Sequence, residues 1–102
     1  MMYVKVHEIF RNGIYEKIVA VCDEKILGKT LKEKGVDVFI NPRFYKGEKV
    51  NSDGVVEKLE NATITNFFGD ESVKTGISSG LFAWEDVILI CGVPHAQTAK
   101  II

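Results

Sequence analysis

Cysteine, proline and tryptophan are scarce in this chain of 102 residues, with two, two and one of each. Two cysteines, Cys22 and Cys91, are too few for a disulfide framework. Neither belongs to a CxxC pair, so no redox or zinc-ribbon motif is present. Long apolar runs are also missing. None, Val87 to Cys91 included, approaches the ~18 residues that a membrane-spanning helix needs. The opening "MMYVKVHEIF" lacks the charged-then-apolar layout of a secretory leader. The expectation is therefore a soluble, cytoplasmic protein with no membrane partner. In that setting both cysteines are thiols, and the sequon at Asn61 carries no glycan.

Charge of one sign is lacking as well. Thirteen Lys and Arg stand against fourteen Asp and Glu, which argues against a uniformly basic nucleic-acid binder. The distribution is uneven, however: residues 1–50 hold ten basic and seven acidic side chains, and residues 51–102 hold three and seven. Lys25, Lys29, Lys32, Lys34, Arg43, Lys46 and Lys49 supply most of the basic excess, so one basic face is expected. A hydrophobic share of 46% suffices for one globular domain over residues 1–102 without metal or disulfide staples.

What is present reads as an α+β fold. "YVKVHEIF" and "IYEKIVAVC" alternate as strands on either side of "RNG", where Asn12 and Gly13 allow positive φ, so residues 3–10 and 14–22 form a hairpin. Asp23 then stands where it would cap a short turn, "DEKILG". "VDVFI" is a third strand, stopped at Pro42, and "RFYKGEKV" continues as an extended basic and aromatic segment. Ser52 is placed to cap a helix over 53–61 whose Val55, Val56 and Leu59 share a face. "ATITNFFG" is a strand. Asp70 caps a second helix on which Val73, Ile77 and Leu81 recur at helical spacing. Val87 to Cys91 reads as a buried strand, followed by a polar turn, "GVPHAQ". The sum is a mixed or antiparallel sheet with two main helices.

Several short patterns invite chemistry. "LGKT" lacks the glycine five residues before Gly28 that a phosphate-binding loop requires, since Asp23 stands there. "RFYKGEK" interleaves cations and aromatic rings. That combination grips single-stranded RNA by phosphate contact and base stacking, and it nominates Arg43, Phe44, Tyr45, Lys46 and Lys49. "NFFGDES" opens a helix after a glycine turn, with Asn66 available to orient a polar ligand. Cys91 and His95 would form a nucleophile and base if they met, and two thiolates with His95 and Asp23 or His7 would form a zinc site. A structural role for both thiols explains them more simply, so no metal or cofactor is expected. His95 follows Pro94 in a polar stretch where it either ties down the chain end or faces a ligand.

Taken together, "AVCDEKILGK", "FYKGE", "TNFFGDESV" and "GVPHAQ", in this order and spacing, resemble a small archaeal family of unknown function, DUF424, over nearly the whole chain. The resemblance implies an archaeal cytosolic protein and brings no activity with it. Its implied family features are Cys22, Asp23, Gly28, Phe44, Tyr45, Gly47, Glu48, Asn66, Gly69, Pro94, His95 and Gln97. It thus favours Asp23, Asn66 and His95 over a cysteine pair.

Three functions are expected in order. The first is a small binding module for RNA or an RNA-containing assembly, such as one of translation, through residues 43–49. The second is a small-ligand protein or enzyme with a polar pocket of Asp23, Asn66, His95 and Gln97. The third is a homodimeric or protein-interaction module in which Phe67, Phe68, Phe82 or Trp84 is exposed.

Overall fold

The computed structural model describes residues 1–100. Strands β1 (Met2–Arg11) and β2 (Ile14–Asp23) form the expected hairpin, in register from Met2 opposite Asp23 to Arg11 opposite Ile14. Asn12 and Gly13, at φ of 52° and 74°, make the two-residue turn whose twist suits paired strands. Among the described residues six strands form the main sheet, in the order β5 (Glu48–Val50), β1, β2, β6 (Ile64–Phe68), β8 (Val93–Ala99) and β7 (Ile88–Ile90). β2 and β6 run parallel and the other neighbours antiparallel, so the sheet is mixed.

Strand alternation divides the core in two. Met2, Val4, Val19, Val21 and Phe67 point to one face, where Val55 of helix α2 (Ser52–Lys58) and Val73 of helix α3 (Asp70–Ser78) pack on them. Ala20, Cys22 and Phe68 point to the other, beneath Ile26, Ile40 and Tyr45. This second face is covered by the one-turn helix α1 (Pro42–Tyr45) and a separate hairpin of β3 (Thr30–Glu33) and β4 (Val36–Phe39). Gly47 follows α1 where a Cβ would strike the backbone of Val4, so only glycine lets the chain pass so close to β1.

Several local expectations are corrected. "VDVFI" supplies β4, but its partner is β3, so this pair forms its own small sheet. "RFY" is helical because Asn41 caps it, accepting from the Arg43 N–H at 3.0 Å, while Pro42 fills the first turn, where its missing N–H costs nothing. Asn51, one residue before Ser52, caps α2 by accepting from the Gly54 N–H. The "buried" strand at 87–91 is an exposed edge, with Ile88 56% and Leu89 70% accessible. "GVPHAQ" lies mostly within β8. The turn falls on Cys91 and Gly92, both at positive φ. Phe67 and Phe68 are buried and Phe82 is partly so, packed edge-on to Phe67; of the four aromatics considered for an interface, Trp84 alone is exposed.

Candidate functional site

The sheet places Asp23 apart from the other residues of the expected polar pocket. As the last residue of β2 it faces the helical side. There its carboxyl group accepts from the N–H of Glu71 at 3.2 Å, the N–H of Ser72 at 2.8 Å and the Ser72 hydroxyl at 2.7 Å. It does not cap the turn Glu24–Ile26, which has no side-chain cap. It caps α3, a helix that begins about fifty residues further on. Gly69, at φ 113°, holds the N-cap position expected of Asp70, and a Cβ there would collide with the Asp23 carboxyl. Asp23 and Gly69 are thus one structural device, with every Asp23 oxygen committed to the fold.

Asn66, His95 and Gln97 share the opposite face. Asn66 is paired with Gln97 and Phe68 with His95 across β6 and β8. The His95 ring lies on Phe68 with centroids 4.6 Å apart, and its Nε2 stands 3.0 Å from the Gln97 amide. These two residues, with Asp86, Ile88 and Ile90, line a shallow hollow of about 240 Å³. His95 is buried and its Nδ1 has no hydrogen-bond partner. Burial holds the imidazole below the usual histidine range, partly opposed by the Phe67 backbone. Asn66 is occupied elsewhere, because the Tyr45 hydroxyl donates to its Oδ1.

Cys22 is buried in the same row as Phe68 and His95, with Phe68 between them. Its thiol is pushed up to about 12, first by burial and then by the neighbouring charge of Asp23, so it is not a nucleophile at neutral pH. Cys91 sits in the turn, its sulfur 3.8 Å from the Val36 carbonyl. Among the described residues no three His, Cys, Asp or Glu side chains gather closely enough to hold a metal ion.

The basic and aromatic segment is assembled differently from its sequence reading. Tyr45 is buried, with its hydroxyl raised above the usual tyrosine range by burial and by nearby Cys22, so it anchors α1 and offers no stacking face. Phe44 is half-buried and stacks on His7, with centroids 5.1 Å apart and planes 16° from parallel. His7 Nε2 approaches the Phe44 carbonyl at 2.8 Å. Lys49 pairs with Glu24 at 2.7 Å. Arg43 and Lys46 remain exposed, one within α1 and one directly after it. Lys5 joins them, its ammonium donating to the Arg43 carbonyl at 2.8 Å. Lys5 and His7 thus belong to this cluster, a role that sequence reasoning did not give them. The available signal was their i, i+2 spacing on one face of β1.

Comparison with known proteins agrees with this fold. The family described as "Protein of unknown function (DUF424)" matches residues 10–101. A solved structure described as an uncharacterized conserved protein from Methanopyrus kandleri is similar at a TM-score of 0.82 and 24% identity, covering 95% of this chain and 89% of that one. At that identity the likeness speaks for the fold. Among curated proteins none matches the chain.

Proposed function

The chain belongs to the DUF424 family of unknown function, and from that premise we propose that it is a small binding module for RNA or an RNA-containing assembly. The observation that carries this reading is the placement of Lys5 and Arg43 beside the stacked His7 and Phe44 rings, with the exposed Lys46 directly after the same helical turn. Among the described residues none of these three cations has a carboxylate within ion-pair distance. Cations without an internal partner attract phosphates by releasing bound counterions. The half-buried His7–Phe44 stack offers an aromatic surface beside them. The polar-pocket alternative has less support, since Asp23 caps α3 on the other face and Asn66 is held by Tyr45.

Binding of a single-stranded RNA oligomer, followed by fluorescence anisotropy across a salt series, tests the reading. Three phosphate contacts give a slope of about −2 in log K against log salt, from ~0.7 per contact. Neutralising Lys5, Arg43 and Lys46 together is expected to flatten the slope and abolish binding. Lys49→Ala leaves both nearly unchanged because Lys49 is already paired with Glu24. A wild-type protein without measurable RNA affinity at low salt overturns the proposal.

A further inference from the structure

The β1–β2 hairpin is much longer than the sheet that supports it. β5 pairs only with Met2–Val4, β6 pairs with Ile18–Cys22 and the Thr63 N–H donates to the Lys17 carbonyl, so the pairs from Ile9 opposite Glu16 to Arg11 opposite Ile14 project as a two-stranded arm. Free ribbons of this kind are marginal in water. This one also exposes Ile9, Phe10, Ile14 and Tyr15. On one side Phe10 and Tyr15 pack together at 5.8 Å, with the Tyr15 hydroxyl donating to Glu8. On the other, Ile9, Arg11, Ile14 and Glu16 border a hollow of about 290 Å³.

The register makes that second side self-complementary. Ile9 is opposite Glu16 and Arg11 is opposite Ile14, so the four side chains occupy the corners of a rectangle of roughly 5 by 7 Å, with the isoleucines on one diagonal and the charges on the other. A two-fold axis laid along the Ile9–Ile14 diagonal brings each isoleucine onto its own copy. It also exchanges the two charged corners, so that Arg11 meets the partner's Glu16 and Glu16 meets the partner's Arg11. The arms then cross at about 70°, near the orthogonal arrangement that twisted sheets adopt.

We propose that this face of the arm is a homodimer interface, occupied by the same face of a second copy around a two-fold axis. Isologous contacts of this sort require a self-complementary patch, and the diagonal pattern provides one. The arm's charges, Arg11 and Glu16, cancel, which disfavours a polyanion as its partner. The patch is smaller than the ~800 Å² per partner of a standard interface, so the dimer is weak and concentration-dependent.

Sedimentation of the full chain over a concentration series tests this. Wild type is expected to reach a monomer–dimer equilibrium. Arg11→Glu and Glu16→Arg, each folded by circular dichroism, are each expected to weaken association by about tenfold or more, because two like-charge contacts replace two ion pairs. Mixing the two variants is expected to restore association as a heterodimer, in which every contact is again between opposite charges. A wild type that stays monomeric at its highest soluble concentration overturns the proposal. So does a dimer indifferent to both reversals, including one dissolved instead by Leu89→Lys at the exposed edge of β7, or a pair of variants that fails to recover on mixing.

Discussion

On the helical side of the sheet, Asp23, Thr65, Ser72 and Thr75 are buried polar residues, and each has a partner: Asp23 with α3, Thr65 with Thr98 at 2.6 Å, and Thr75 with the Glu71 carbonyl at 3.0 Å. On the opposite side His95 is buried with Nδ1 unpartnered, while Lys5, His7, Arg43 and Lys46 gather around α1. The first side is built from two helices, aliphatic side chains and Phe67, and its buried polar groups are paired. The second is roofed by a single helical turn and a small hairpin, and it keeps polar groups near the surface. Polar groups inside a protein cost little once satisfied and much when they are not. The side with the orphaned and uncompensated groups is accordingly where binding is proposed.

The contrast is broken most severely at its dry side. Phe67→Ala empties the centre of the helical core and is expected to cost about 3–5 kcal/mol in chemical denaturation. Asp23→Ala strips the acceptor from two N–H groups and a hydroxyl. A loss of about 2–4 kcal/mol is expected, measurable by thermal and urea unfolding, with Asp23→Asn costing less because a carbonyl oxygen remains. Should the two substitutions prove equally mild, Asp23 is not the cap described here.

Smaller effects sharpen the other side. Tyr45→Phe removes one hydrogen bond to Asn66 and is expected to cost about 1 kcal/mol without affecting RNA affinity. Were it to abolish RNA binding while leaving stability intact, Tyr45 would belong to the binding surface. The smallest effect concerns pH. Burial lowers the folded pKa of His95 below that of the unfolded chain. The unfolded state then binds the extra proton, and this residue's contribution to stability is present above about 6.5 and declines as pH falls below it. His95→Phe is expected to flatten that decline in melting temperature, and an unchanged pH profile would contradict it.

The hairpin, β6 and α3 were legible because each is written in local terms. Asn12 and Gly13 tolerate positive φ, Val4 and Val6 alternate with Lys5 and His7, and Val73 and Ile77 repeat at helical spacing. Val87 to Cys91 misled because apolar composition marks a strand without saying whether that strand lies inside a sheet or at its edge. Tyr45 misled for the converse reason, since an aromatic between cations reads the same whether its ring faces solvent or Asn66. From the sequence Asp23 reads as the cap of the nearest turn, whereas in the fold it caps α3. The helix it caps is joined to it only through the parallel pairing of β2 with β6.

For "GVPHAQ", the sequence by itself determined that a histidine and a glutamine stand two positions apart in what reads as a polar turn; that the segment is a strand, which puts both on one face, belongs to the structure. Tertiary structure decided that the face lies against Phe68, that Gln97 meets the ring, and that Asp23 stands on the far side of the sheet. Residue type and spacing set what a short segment can do. Which distant groups reach it depends on sheet order and register, which are properties of the whole chain's packing.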